Sequence, residues 1–171
     1  ALDVLGMGLS ELGSLSERRI SKLMDPGFSA LPAFLVKNEG LNSGLMMTQV
    51  TAAALVAESK LLTHPGSTDS IPTNNEQEDH VSLGPLCALK ARTILENNET
   101  ILAIEAIAAC QALEFRHPLK PGVGPRLLYQ NVRSRVRPLE RDRALHTDIE
   151  SVTDLIRSGT LHGALRNGRL L

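Results

Sequence analysis

The stretch GPLCALKARTILENNETILAIEAIAACQALEF, residues 84–115, decides the fold class. Apolar side chains recur along it at Cys87, Ala91, Ile94, Ile101, Ile104, Ala108 and Ala112, the three- and four-residue steps of a helical face. Thirty residues at ~1.5 Å each give a rod of ~45 Å. That is longer than a compact domain of 171 residues is wide, so the rod asks for neighbours beyond this chain. The helix is expected to start near Gln77, with Gly84-Pro85 marking either its first turn or a kink.

Upstream, residues 63–76 carry Pro65, Gly66, Ser67, Asp69, Ser70 and Pro72 and cannot continue a helix. A second helix is expected from about Ser43 to Leu62, and the small side chains at its centre, Thr51-Ala52-Ala53-Ala54, allow close helix packing. Residues 28–42 read as loop, although Ala33-Phe34-Leu35-Val36 is apolar enough to be buried. Before the stop at Asp25-Pro26-Gly27, Leu2, Leu5, Leu9, Leu12, Ile20 and Leu23 mark the apolar face of an amphipathic helix over residues 1–24. Downstream of the break at Pro118–Pro125, Leu127, Leu128, Val132 and Val136 predict a helix ending before Pro138. The last helix is expected to open on a capping box, Thr147-Asp148-Ile149-Glu150, and to end at Gly159.

The reading is all-α, with long helices forming part of an oligomeric bundle. Composition agrees: with no Trp, one Tyr and three Phe, the core must be aliphatic, which suits packed helices better than strands. Lysine plus arginine (18) balance aspartate plus glutamate (19), so no global field draws nucleic acid or an anionic membrane. No apolar run approaches the ~20 residues of a membrane span. Cys87 and Cys110 lie on one helix too far apart to bridge, which points to a reducing, cytoplasmic setting. The opening residues lack an initiator Met and are already helical in pattern, which suggests a piece of a longer chain.

The densest chemistry is Glu76-Gln77-Glu78-Asp79-His80. Three carboxylates in four residues repel one another, and one of them can then act as an acid or base near neutrality. Acidic residues also favour the first turn of a helix, and that plainer explanation stands beside it. Glu76, Asp79 and His80 fall at helical i, i+3 and i+4, but no second His- or Cys-rich cluster completes a metal site, and none is expected. There is no Gly-x-Ser-x-Gly elbow, and Gly122-Val123-Gly124 lacks the strand and the lysine of a phosphate loop. The arginines between Arg126 and Arg143 are interrupted by Glu140 and Asp142 and read as a solvated or subunit-contacting face.

Several stretches resemble the histidine ammonia-lyases. Ser43-Gly44-Leu45-Met46-Met47-Thr48-Gln49-Val50-Thr51-Ala52-Ala53-Ala54-Leu55 is similar to that family's Ser-Gly-Phe-Met-x-x-Gln-Val-Thr-Ala-Ala-Ala-Leu run. Gly13-Ser14-Leu15-Ser16-Glu17-Arg18-Arg19, His64-Pro65, Asp69-Ser70, Pro72-Thr73, Gln77-Glu78-Asp79-His80-Val81-Ser82, and Leu102-Ala103-Ile104-Glu105 with Ala108-Ala109-Cys110-Gln111 match as well. The likeness runs from residue 1 to about 157. It implies a helical homotetramer whose active sites draw on several subunits, and elimination of ammonia from an aromatic amino acid. It also implies a methylidene-imidazolone electrophile formed from an Ala-Ser-Gly tripeptide, which this sequence lacks: Ser43-Gly44 follows Asn42, and Ser158-Gly159 follows Arg157. The family carries that tripeptide in a larger N-terminal part, the other expected partner besides a second copy and the amino acid substrate.

By the same resemblance residues 1–115 are the bundle segment, with an active-site loop at 63–80, and 116–171 are shorter C-terminal helices. Glu78 corresponds to a glutamate that contacts the substrate imidazole and takes part in catalysis, and Gln77 to a residue lining the pocket on the electrophile side. Plant phenylalanine enzymes carry Asn-Gln-Asp there, so Gln77-Glu78-Asp79 implies histidine. One departure is Glu76, where bacterial members usually carry Asn. Other aromatic lyases, aminomutases and a non-catalytic oligomerisation module remain as alternatives.

Overall fold

A 31-residue helix, α4 (Gly84–Glu114), is the spine of the computed structural model, which describes residues 1–167. Pro85 sits in its first turn, where the missing N–H costs no intrahelical bond. The helix does not begin near Gln77, because Asn74, Asn75 and Glu76 adopt left-handed conformations with φ of 53, 52 and 65°. Thr73 then pairs with Glu78 across the turn, and residues 77–83 stay outside the helix.

Three helices lie along α4: α1 (Leu2–Met24), α3 (Met46–Leu62) and α6 (His146–Arg157). The α1–α4 contact is the most extensive, and it is made by small residues. Gly6, Ser10, Gly13 and Ser16 are buried, and a Cβ on Gly6 would stand 3.2 Å from the Ile94 side chain. The stripe lets the two axes approach closely. It also corrects the expected orientation of the N-terminal half of α1, while Ile20 and Leu23 face the core as expected. Ile20 is fully buried, yet Leu2, Leu5 and Leu12 are 39, 52 and 60% exposed, because the small face rather than the leucine face docks.

A short helix, α2 (Pro26–Ser29), follows α1, capped by Asp25, whose side chain accepts the Gly27 N–H at 2.9 Å. In the apolar run 33–36, Leu35 and Val36 are fully buried, while Phe34 is half-turned to solvent in a 3₁₀ turn (Ala33–Leu35). Helix α3 starts at Met46 rather than Ser43, since the Ser43 and Gly44 amides donate instead to the Asp142 carboxylate at 2.7 and 2.8 Å. Gly44 is required there: φ is +58°, and a Cβ would meet the Phe34 carbonyl at 2.5 Å.

Helix α5 (Val123–Arg133) ends before Arg137, and the chain leaves it to bury Val136 and Leu139. The buried Gln111 side chain organises this strap. Its amide donates to the Leu35 and Leu139 carbonyls at 3.1 and 2.9 Å and accepts the Leu139 N–H at 3.0 Å. The capping box at Thr147–Glu150 does not form: α6 starts at His146 with Leu145 at its N-cap, so Thr147 lies inside the first turn, and Asp148 pairs with Arg143. Gly159, with φ +72°, ends α6 as expected, but a further helix, α7 (Thr160–Asn167), follows it. Among the described residues there is no strand beyond two isolated bridges, and no helix is long and apolar enough to cross a membrane. Both cysteines lie on α4, free and buried.

Candidate functional site

The acidic motif sits on the loop that joins α3 to α4. Three hydrogen bonds close its tip. The Thr73 N–H donates to the Glu78 carbonyl at 2.9 Å, the Glu78 N–H to the Thr73 carbonyl at 3.3 Å, and the Thr73 hydroxyl to the Glu78 carboxylate at 3.0 Å. Inside this ring the Gln77 N–H reaches the Asn74 carbonyl at 3.2 Å, and the Asn74 amide donates to the Gln77 side chain at 3.3 Å. Lower down, the Val81 N–H donates to the Ser70 hydroxyl at 2.8 Å. The loop is therefore folded on itself, with Gln77 and Glu78 exposed at its end.

Glu76, Asp79 and His80 are exposed too, and they do not share a helical face, because no helix forms here. Among the described residues no group of three His, Cys, Asp or Glu side chains is placed to hold a metal ion. His80 lines a cleft of about 370 Å³ with Asp3, Ser67, Ser82 and Cys87. The Ser67 backbone N–H and then its hydroxyl hold the Asp3 carboxyl far below the usual carboxylate range. Burial, and then Asp3 beside it, push the Cys87 thiol up, so it is not an activated nucleophile.

A second polar cluster joins motifs far apart in the sequence. Gln49 on α3 donates to Glu17 on α1 at 2.7 Å, and Arg18 holds the same carboxylate at 2.5 and 2.6 Å. Burial raises the Glu17 pKa, but Arg18 and Gln49 outweigh it and keep the group below its ordinary value. On the same turn of α1, Ser16 and Arg19 both bond Glu105 on α4, at 2.5 Å each. The runs around Ser16, Gln49 and Glu105 thus meet at one three-helix junction. Sequence reasoning gave no bracing role to Ser70 and Thr73, which it noted only as parts of family-like runs, and did not single out Asp3 or Lys90. Asp3 carries no signal beyond that of an acidic residue in a first helical turn.

Comparisons with known proteins identify the family and the fold. The model of the aromatic amino acid lyase family matches residues 1–134. A histidine ammonia-lyase of Myxococcus xanthus is 54% identical over 98% of this chain and 33% of its own length. One from Caldanaerobacter subterraneus is 50% identical over 97% of the chain and 33% of its length. The crystal structure of histidine ammonia-lyase from Trypanosoma cruzi superimposes with a TM-score of 0.94 at 49% identity, over 97% of this chain and 33% of that one. A tyrosine aminomutase from Streptomyces globisporus has the same fold, with a TM-score of 0.91, at 37% identity over 97% and 32% of the two chains. The chain spans about a third of the length of these relatives. With a family model covering most of its length and half its residues shared with individual members, the chain belongs to the aromatic amino acid lyase family.

Proposed function

We propose that this chain is the C-terminal portion of an ammonia-lyase that converts histidine to trans-urocanate and ammonia, and that it is inactive alone. The observation that carries the reading is the Gln77-Glu78 pair, held exposed at the tip of a self-bonded loop, in a chain about half identical to histidine ammonia-lyases. The lower identity to the tyrosine aminomutase also favours the lyase.

In this reaction the Cβ–H and Cα–N bonds break, the Cα=Cβ double bond forms, and ammonia leaves. The Glu78 carboxylate accepts a hydrogen bond from the substrate imidazole N–H and can exchange a proton with it, while Gln77 lines the adjoining wall. The family's methylidene-imidazolone activates the amino acid as an electrophile. This chain has no Ala-Ser-Gly from which to form it; in this reading a preceding part of the enzyme would supply it, and Gln77 and Glu78 would complete the pocket beside it.

Leu5 and Leu12 on α1, with Leu89 and Leu102 on α4, are 43 to 61% exposed and support assembly into a homotetramer. Two free, buried cysteines suit a cytoplasmic enzyme. The test is complementation. The chain alone should form no urocanate and lack the ultraviolet absorbance of the electrophile. Co-expression with a preceding polypeptide that carries Ala-Ser-Gly should restore both. Turnover by a preparation shown by mass spectrometry to hold only these residues would overturn the reading.

A further inference from the structure

The loop carrying Gln77 and Glu78 is tied to the helices by one charge pair. Asp3, in the first turn of α1, accepts the N–H groups of Gly66 and Ser67 at 3.3 and 2.9 Å. Lys90, near the start of α4, stands 3.6 Å from the same carboxylate and donates to the His64 carbonyl. Both side chains are largely buried, at 9% and 16% exposure. Gly66 is pressed against α4, where a Cβ would stand 2.9 Å from the Cys87 sulfur. Two helices and the start of the loop therefore converge on Asp3.

From Ser67 the path to Glu78 is short. Ser70 is three residues on, within ~10 Å of chain, and its hydroxyl holds the Val81 N–H. Between Ser70 and Val81 the Thr73–Glu78 bonds close the tip. Ser67 is thus linked through Ser70 and Val81 to the base of the tip. A carboxylate serving only the α1 dipole would need none of these loop contacts.

We infer that Asp3, together with Lys90, is a positioning residue that sets where the Gln77-Glu78 tip stands in the active site, without itself touching substrate. The inference rests on the reading of Glu78 as the group that meets the imidazole. It adds a determinant on helix α1, 75 positions from Glu78 in the sequence.

Hydrogen–deuterium exchange on this chain tests the anchor, comparing the native protein with Asp3→Asn and Lys90→Met. The amides of Glu78 and Val81 should lose protection about tenfold along with Ser67, while Ile101 and Ile104 in α4 keep theirs. Loss confined to Gly66 and Ser67 would overturn the inference. So would loss throughout α4 in both variants, which would make the pair a folding element. In the longer enzyme, Asp3→Asn should lower kcat for histidine about tenfold with little change in KM, and Asp3→Glu should recover part of it. In a Glu78→Gln background Asp3→Asn should cost nothing further. An equal loss in both backgrounds would break the link to Glu78. If Glu78→Gln alone were harmless, the reading of Glu78 would fall, and the exchange data would still decide the anchor.

Discussion

Thr73 holds Glu78 by backbone and by side chain at once: two amide–carbonyl bonds set the turn, and the Thr73 hydroxyl, 3.0 Å from the carboxylate, sets the direction of the acid. Together with the left-handed run at Asn74, Asn75 and Glu76, the pairing keeps the chain out of the helix expected from Gln77. It leaves Glu78 exposed at the tip of a loop instead of on a helical turn.

Thr73→Val keeps the backbone pairing and releases the carboxylate. In the longer enzyme, histidine kcat/KM should fall about fivefold, the rate equivalent of one hydrogen bond of ~1 kcal/mol. Thr73→Ser should stay near the native rate. Equal activity in the Val and Ser variants would show that the hydroxyl does not orient Glu78.

Gln111 should be the costliest polar side chain to remove from the core. Gln111→Leu leaves the Leu139 N–H and the Leu35 and Leu139 carbonyls without their partner, deep in the fold. At ~1–3 kcal/mol for each buried group left unsatisfied, a loss of about 3 kcal/mol or more is expected, and a drop of ~6–12 °C in the melting temperature. A change within about 1 °C would mean that water or a neighbour replaces the amide.

At Gly13 two effects oppose each other. Alanine is favoured over glycine in a helix by ~1 kcal/mol, but a Cβ here collides with the Asn98 side chain. Asn98 is buried and its amide is bonded to the Leu9 carbonyl at 2.6 Å, so it cannot move aside cheaply. Overpacking of ~1–3 kcal/mol should win, making Gly13→Ala destabilising. Adding Asn98→Ala should remove most of that penalty, and thermal melts of the two single variants and the double variant measure it. Stabilisation by Gly13→Ala alone would contradict the close α1–α4 approach.

The leucines turned outward on α1 should be covered in solution. Light scattering on the purified chain should show a dimer or tetramer, and Leu5→Glu with Leu12→Glu should shift it to monomer without melting the helices. A native monomer at micromolar concentration would contradict the bundle assignment.

The long helices were legible because an apolar repeat over twenty or thirty residues has one good explanation. Their ends were not, because tertiary partners decided them. Asp142 took the Ser43 and Gly44 amides, the start of α6 at His146 put Thr147 inside the helix instead of at its cap, and the left-handed run 74–76 diverted the chain before α4. The leucine periodicity of α1 identified a helix but not its inward face, since glycine and serine give closer contact with α4 than leucine can. Within the candidate site, Gln77 and Glu78 stood out as an acidic motif with a family resemblance. Asp3 did not, because its partners lie 63 and 64 positions away and no spacing rule links them.

The role of Glu78 is the centre of the account, and one substitution reaches it most directly. Glu78→Gln keeps the size of the side chain and removes its charge. In the longer enzyme, histidine kcat/KM should fall by ~10²-fold or more, as for loss of a general acid or base, with the melting temperature unchanged. Phenylalanine, which has no imidazole, should lose far less. Equal losses on both substrates, or no loss on histidine, would contradict the assignment.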